Sequence, residues 1–273
     1  MKVSFSNYMQ LTKPRLTLMA LFTALSGFYL GSSGQFHFLP IFHLMIGACL
    51  IGGGANALNQ YLEKDHDAKM VRTKKRPLPS LRIKKSHALW FGLCLALGGV
   101  IYLYFLTNPI SSGLAFAMLF CYLLLYTPLK RKTWLNTFIG AVSGALPTLI
   151  GWSAGSGQVP NLKAWVFFLI LFFWQMPHFF TIAWVYREDY KAGGFRMLST
   201  EDRAGQRTCA QIALFSVLLF AASLLPTFVG IAGLLYFSAA LFTGLLFLTF
   251  ALYVGTHKME YSKELVSVSI FYL

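Results

Sequence analysis

The chain has 273 residues, of which 56% are hydrophobic and only 12% are charged. Soluble domains carry about 25% charged residues, so this chain has too little charge to cover a water-facing surface. The long apolar stretches also exclude a disordered chain and a coiled coil. The composition therefore predicts an all-α, polytopic membrane helical bundle.

Apolar stretches of about 20 residues mark crossings of a bilayer, and they recur along the whole chain. Eight full spans are predicted, at residues 16–30, 41–62, 88–106, 110–126, 135–154, 164–186, 210–229 and 231–256. The first span also resembles a signal peptide, although a polytopic chain favours its retention. A partial ninth helix, apparently truncated, is expected from Leu265 to Leu273. We interpret residues 1–273 as a single integral-membrane domain.

The net charge of +14 reflects the topology of the chain, because the basic residues lie in loops. When the eight spans are threaded in order, 22 of the 23 Lys and Arg residues fall on one side, and Lys163 alone falls on the other. The positive-inside rule then predicts a cytoplasmic N-terminus and cytoplasmic charged loops. No nucleic acid partner is needed to explain the charge. The four cysteines form no CxxC pair, so neither a disulfide framework nor a zinc site is expected.

Seven of the nine acidic residues follow spans two and six. In the first of these loops Asn59, Glu63 and Asp67 are spaced by four, so helical continuation of the span puts them on one face. Asp65 faces roughly the opposite way. An amide and two carboxylates in a row suit Mg²⁺, which completes its coordination with water and phosphate oxygens. The alternative is a solvated helix end whose acids balance the basic loop.

A basic run follows this column. Arg72, Lys74 and Arg76, with Lys75 between them, precede two prolines that stop regular structure. Guanidinium and ammonium groups bind phosphate oxygens, so the run suits a metal-bound diphosphate. As a topology signal alone it would need no neighbouring acids.

His178 is the only histidine placed well inside a span, and ionisable residues there have a functional role by default. On an unbroken helix His178 and Asp189 would face the same side, unless Pro177 kinks the helix. A structural histidine, hydrogen-bonded to a neighbouring helix, is the alternative. In span five, Gly140 and Gly144 indicate close helix packing.

Several of these motifs together resemble the UbiA superfamily of intramembrane prenyltransferases. They are the Asn59, Glu63 and Asp67 column, the pairs Arg72-Thr73 and Arg76-Pro77 with Leu78-Pro79, and Leu11-Thr12-Lys13-Pro14-Arg15 at the entry to span one. The segments Ala55-Asn56-Ala57-Leu58-Asn59 and Trp174-Gln175-Met176-Pro177-His178-Phe179 look like the branch of that superfamily that farnesylates haem. Leu81 differs from the family, which usually has Gly after Pro-Ser.

The resemblance implies a nine-helix bundle around a central cavity, with the two acidic segments facing each other near its cytoplasmic mouth. It implies transfer of the farnesyl group of farnesyl diphosphate to a vinyl group of haem B, with Mg²⁺ as cofactor and diphosphate as leaving group. It also implies a bacterial inner-membrane location and a possible haem A synthase or oxidase assembly partner.

Site roles carried over from the family are expectations of the same kind. The catalytic set would be Asn59, Glu63, Asp67, His178, Glu188 and Asp189; the diphosphate ligands Arg72, Lys74, Arg76, Arg187 and Lys191; and the metal ligands Glu63, Asp67 and Asp189. Two alternatives stay open. One is a quinone-type prenyltransferase with an aromatic acid acceptor, and the other is a transporter of a phosphorylated ligand, whose coupling sites usually lie near the midplane.

Overall fold

The computed structural model describes residues 5–257 and 259–273, so Lys2 and Lys258 of the basic count lie outside the described residues. The described part is helical. Its elements are α1 (Phe5–Thr12), α2 (Pro14–Gly31), α3 (Phe38–Asp67), α4 (Lys85–Leu106), α5 (Pro109–Phe120), a π-helical turn (Cys121–Tyr126), α6 (Thr127–Leu129), α7 (Asn136–Ser156), α8 (Leu162–Val185), α9 (Arg187–Ala192), α10 (Leu198–Glu201), α11 (Gln206–Phe228), α12 (Leu234–Thr256) and α13 (Ser262–Tyr272).

Seven helical stretches in the described part are long and apolar enough to cross a membrane. They are α3, α4, the continuous stretch Pro109–Leu129, α7, α8, α11 and α12. The all-α membrane architecture is therefore confirmed. Helix α2 covers the first predicted span but is not among the seven. The 11-residue helix α13 lies where the partial ninth helix was expected.

Two asparagines define helix starts at the end of the bundle opposite the charged loops. The Asn108 Oδ1 accepts a hydrogen bond from the Ser111 amide at 2.8 Å, just before α5. The Asn161 Oδ1 accepts from the amides of Lys163 and Ala164 at 3.0 and 3.3 Å, just before α8. Each side chain satisfies amides that a helix start leaves unpaired, which sets where the two spans begin.

Glycines bring the backbones of α2 and α7 into direct contact. A Cβ added at Gly27 would lie 2.1 Å from the Thr148 carbonyl oxygen, and one at Gly151 would lie 1.8 Å from the Ala24 carbonyl oxygen. Gly31 and Gly155 extend the same contact towards the ends of both helices. Small residues allow this approach between membrane helices, so α2 is held in the bundle along most of its length.

Gly140 and Gly144 also lie at close helix contacts, as expected. These glycines face side chains of other helices rather than a helix backbone. A Cβ at Gly140 would lie 2.7 Å from the Tyr126 ring, and one at Gly144 would lie 2.0 Å from the Gln175 Oε1. They make room for a tyrosine and a glutamine against α7.

The π-helical turn precedes Pro128, which has no amide hydrogen and whose ring crowds the carbonyl four residues earlier. The wider turn accommodates one extra residue, as π-bulges near functional sites often do. Tyr122 and Tyr126 stack there with ring centroids 5.6 Å apart. The turn therefore directs Thr127 and Lys130, which follow it, towards α3.

The helix is interrupted between His178 and Asp189, so the condition under which the two residues would face the same side is not met. Helix α8 continues past Pro177 to Val185, and the break falls at Tyr186, whose φ of −106° and ψ of 24° are not helical. Asp189 belongs to the six-residue helix α9. There its carboxylate accepts hydrogen bonds from two backbone amides of the α3–α4 loop. Helical spacing therefore does not place Asp189 on the same side as His178.

Candidate active site

The predicted column on α3 is helical, inward-facing and buried. Asn59, Glu63 and Asp67 are 2%, 3% and 0% exposed, whereas Asp65 is exposed on the other face of the helix. The spacing of four therefore predicted the correct face. Two buried carboxylates one turn apart need positive partners, since burial of an unpaired charge is costly.

Each polar side chain of the column has a cationic partner. The Lys130 Nζ donates to the Glu63 Oε1 at 2.8 Å, and the Arg76 Nη1 donates to the Asp67 Oδ2 at 2.7 Å. The Lys13 Nζ donates to the Asn59 Oδ1 at 3.3 Å. Three cations from three separate chain segments thus converge on one face of α3.

Lys130 and Lys13 were not among the predicted site residues. Lys130 lies in a short basic loop that was interpreted as a topology signal, and its role follows only from the fold. Lys13 belongs to a segment that carried the family resemblance, which was the available signal. Its φ of 46° is left-handed, which is uncommon for a residue with a side chain, and it directs the ammonium group into the site.

The two lysines differ in electrostatic environment. Burial lowers the pKa of Lys130, but the Glu63 carboxylate together with the Tyr126 and Tyr122 side chains raises it by more, so the net shift puts that pKa above its ordinary value. Burial and then the nearby Arg76 lower the pKa of Lys13 to about 7. Lys130 is therefore a fixed cation, whereas the charge of Lys13 responds to a change of charge in the site.

The basic run divides into a partly buried section and an exposed section. Arg76 reaches Asp67, and the Thr73 hydroxyl donates to the Asp67 carbonyl oxygen at 2.8 Å. Lys74 is exposed. The Arg72 guanidinium lies over the Tyr186 ring at 4.8 Å, with its Nη2 3.4 Å from the Tyr190 hydroxyl. Arg72 thus connects the α3–α4 loop to the segment after α8.

The second acidic segment meets the same loop through Asp189. Its Oδ1 accepts from the Val71 amide at 3.0 Å, and its Oδ2 accepts from the Arg72 amide at 3.1 Å. The His66 Nδ1 lies 2.6 Å from the Gly193 carbonyl oxygen and adds a second contact between the two segments. The two charged loops therefore lie together at one end of the bundle.

The remaining predicted residues of this segment lie outside that contact. Glu188 is exposed and pairs with Arg187 at 3.6 Å. The Arg187 guanidinium also lies over the Trp184 ring at 4.5 Å, against a small cavity that Ser262 helps to line. Lys191 is exposed. The structure thus brings Asp189 to the first loop and leaves these neighbours on the outer side.

The donor set fits a hard divalent cation. The Asp67 Oδ1 is buried and has no hydrogen-bond partner, an orphaned anionic oxygen beside a second carboxylate. Oxygen ligands of this kind are those that Mg²⁺ prefers. Within residues 5–257 and 259–273, no three His, Cys, Asp or Glu side chains form a metal-binding group. Glu63 and Asp67 are instead held by Lys130 and Arg76.

His178 faces the last helix. Its Nδ1 lies 2.7 Å from the Ser269 hydroxyl of α13, and its ring stacks on Trp174 at a centroid distance of 5.0 Å. The indole of Trp174 donates to the Ser269 carbonyl oxygen. His178 is separate from the charged loops, and its Nδ1 side is used in a contact between helices.

The chain belongs to the UbiA prenyltransferase family, since that family's sequence model matches residues 20–267. This confirms the resemblance, and with the seven candidate spans it makes the chain an integral membrane protein. The protoheme IX farnesyltransferase of Solibacter usitatus is 39% identical, with 98% of this chain and 94% of the relative covered. The enzyme of the same name from Opitutus terrae is 43% identical, with 89% and 82% covered.

Solved structures agree on the fold. A structure described for digeranylgeranylglyceryl phosphate synthase superimposes with a TM-score of 0.79 at 18% identity, covering 98% of this chain and 96% of its own. A UbiA homologue from Archaeoglobus fulgidus bound to DMAPP and Mg²⁺ gives a TM-score of 0.72 at 14% identity, covering 96% and 99%. At these identities the likeness establishes the fold alone.

Proposed function

We propose that this protein transfers the farnesyl group of farnesyl diphosphate to a vinyl group of haem B, forming haem O and releasing diphosphate. The observation that carries the transfer chemistry is the buried Glu63 and Asp67 pair surrounded by Lys13, Arg76 and Lys130. The choice of haem as acceptor is supported by near-full-length relatives named protoheme IX farnesyltransferase.

Breaking the allylic C–O bond develops negative charge on diphosphate and positive charge on the prenyl group. Bound Mg²⁺ would supply Lewis-acid stabilisation of the diphosphate oxygens. Glu63 and Asp67 are the proposed ligands on α3, and Asp189 is the proposed ligand from the second loop. Asn59 orients the column through its hydrogen bonds to Lys13 and Thr127.

Cationic residues around the column are proposed to bind the leaving diphosphate. Arg72, Lys74 and Arg76 approach it from the first loop, and Lys130 and Lys13 approach it from two other chain segments that meet the same face of α3. Arg187, Glu188 and Lys191 complete the second loop as outer contributors, in accordance with their exposed positions.

Aromatic rings beside the charged column are suited to the prenyl cation. Tyr126 stacks on Tyr122, and the Lys130 ammonium lies 4.4 Å from the centroid of the Tyr126 ring. Aromatic faces attract cations and exclude water. The acceptor is proposed to approach from the membrane interior, where His178 would contact it through its iron or a propionate, because neutral imidazole is a common metal ligand.

The reaction itself is the deciding experiment. Purified protein in detergent is incubated with haem B, farnesyl diphosphate and Mg²⁺, and the porphyrin products are read by mass. We expect a farnesylated haem and one diphosphate per product. Farnesylation of an aromatic acid but not of haem would assign the protein to quinone synthesis. If no acceptor leads to diphosphate release, the result would favour a transporter of a phosphorylated ligand.

The orientation is a separate proposal. We place all charged loops in the cytoplasm of a bacterial inner membrane, with α2 as an eighth crossing. Haem O would then pass to a haem A synthase or oxidase assembly partner. A reporter fused within residues 72–85 should read cytoplasmic, and one within residues 155–158 should not. Both reporters on the same side would overturn the proposed number of crossings.

A further inference from the structure

A second cavity lies at the end of the bundle opposite the charged loops. It has a volume of about 750 Å³ and forms where α2 and α7 end, where α3 and α8 begin, and beside the α11–α12 loop. Helix α3 has its first residue near this cavity and its last at Asp67, and it is 30 residues long. At about 1.5 Å per residue that length approaches 45 Å. The cavity is therefore distinct from the candidate active site.

The size and lining of the cavity suit a ligand with a polar head and an apolar body. Pockets for small ligands usually occupy about 300–1,000 Å³. Tyr29, Trp152 and Ile231 provide aromatic and aliphatic wall, and Ser33 and Gln158 provide polar groups. Tyr and Trp are typical of the boundary between hydrocarbon and headgroups. A membrane amphiphile at this boundary would find both kinds of surface.

The charge of the cavity indicates an anionic head. No Asp or Glu occurs in residues 16–62, 135–186 or 203–259, which supply all of its lining. The titratable side chains that face it are Lys163, His37 and Tyr29. The Lys163 Nζ has only a long contact, 3.4 Å, to the Gly230 carbonyl oxygen, and the His37 Nε2 lies 3.0 Å from the Gln35 Oε1. Lys163 thus retains donors with no carboxylate nearby.

We propose that this cavity binds the phosphate headgroup of an anionic membrane phospholipid, with Lys163 as its cationic contact. An ammonium group with free donors forms charge-assisted hydrogen bonds to phosphate oxygens. The apolar wall accommodates the first carbons of the acyl chains. The occupant is independent of the prenyl-transfer reaction, because the two sites are at opposite ends of the bundle.

Native mass spectrometry of the full chain in detergent tests the proposal. Delipidated protein is titrated with phosphatidylglycerol, phosphatidylcholine or inorganic phosphate, and bound adducts are counted. We expect one saturable phosphatidylglycerol adduct that phosphatidylcholine does not replace. In Lys163→Gln its affinity should fall about fivefold, the scale of one partly exposed ion pair. Lys163→Arg should keep the adduct, since the charge remains.

Lys84→Gln is the matched control, because Lys84 is an exposed lysine on the face with the charged loops. It should bind phosphatidylglycerol as the wild type does, and unfolding midpoints identify any variant that is merely unstable. Equal affinity in Lys163→Gln and wild type would overturn the proposal, as would equal binding of both lipids. Saturation by inorganic phosphate alone would assign a free anion instead. Displacement of the lipid by haem B would assign the cavity to haem carboxylates.

Discussion

The two acidic segments of this protein have similar compositions, but the fold places them in different environments. On α3, Glu63 and Asp67 are buried, and each has a cationic partner within 2.8 Å. In the second segment Asp189 accepts two backbone amides, while Glu188 remains exposed. Spacing explains the difference. Acids four apart on a long helix share one face, whereas adjacent acids on a six-residue helix point apart.

The difference also separates two kinds of electrostatic support. Side-chain cations balance the first segment, so its carboxylates can exchange partners when a metal or diphosphate arrives. Backbone amides support Asp189, and such donors are fixed by the fold. We therefore expect the first segment to dominate the chemistry, and Asp189 to combine a secondary contact to the proposed metal with positioning of the first loop.

The largest effect is expected from the α3 carboxylates. Glu63→Gln and Asp67→Asn should each reduce turnover about 100-fold or more, because a ligand of the proposed metal is lost. Asp65→Asn is the matched control and should be mild, since Asp65 is exposed. Turnover is measured with farnesyl diphosphate, haem B and Mg²⁺. A more sensitive Asp65, or full activity in EDTA, would contradict the metal-site assignment.

Loss of stability must be separated from loss of chemistry in those variants. Glu63→Gln leaves Lys130 unpaired. Removing one partner of a buried ion pair costs about 3–5 kcal/mol of folding free energy. The double variant Glu63→Gln with Lys130→Gln should recover much of the unfolding midpoint without recovering turnover. Recovery of both would reduce the pair to a structural role.

Within the second segment, Asp189 should matter more than Glu188. Asp189→Asn weakens two charge-assisted contacts to the first loop and should raise the KM for farnesyl diphosphate about tenfold. Glu188→Gln should change it less than about threefold, the scale of an exposed pair. Steady-state kinetics of both variants provide the measurement. The reverse order would show that the exposed face of α9 binds the substrate.

His178 tests whether the helix leading into the second segment has a role of its own. His178→Ala should weaken haem binding in a spectral titration and largely keep the affinity for farnesyl diphosphate, with the reverse pattern for Arg72→Ala. Ser269→Ala is the control, because it removes the hydroxyl 2.7 Å from Nδ1 and keeps the imidazole. Unchanged haem titration with normal turnover in His178→Ala would leave only the contact between helices.

Lys13 should make the first segment sensitive to pH. Its pKa is about 7 in the folded protein, against an ordinary value of 10.5. Between these values the unfolded chain binds the extra proton, so the free energy of unfolding should rise with pH. Unfolding midpoints from pH 7 to pH 9 should rise more steeply in the wild type than in Lys13→Met. Identical slopes would mean that Lys13 stays charged.

The smallest effect is expected at Leu81, in the loop after the first segment. Its φ of 59° is left-handed, although its side chain is 65% exposed and gains little from burial. Leu81→Gly should stabilise the protein by about 1 kcal/mol or less, because Gly adopts this conformation without a steric cost. Leu81→Ala keeps the Cβ and should gain nothing. A lower unfolding midpoint in Leu81→Gly would contradict the strain at this position.

Sequence patterns predicted the features that depend on neighbours along the chain. The positions of the long helices and the face shared by Asn59, Glu63 and Asp67 follow from hydropathy and a spacing of four, and the structure agrees with both. The Lys130 partner of Glu63 is 67 residues away, so no local pattern could assign it.

The contact between Asp189 and the first loop could not be predicted for the same reason. Its donors are the amides of Val71 and Arg72, more than 100 residues earlier in the chain. The direct contact between α2 and α7 likewise requires glycines from two distant helices, whereas the nearer pair Gly140 and Gly144 was the more obvious motif.

The close contact between α2 and α7 has a consequence for biosynthesis. Helix α2 is not among the seven stretches that are apolar enough to span a membrane, and its glycines fit against α7, which starts at Asn136. At about 5–20 residues per second, translation of the intervening chain takes on the order of 5–20 s. During that interval the nascent protein contains α2 but not yet α7, the helix against which α2 packs. During this time we expect α2 to depend on insertion factors.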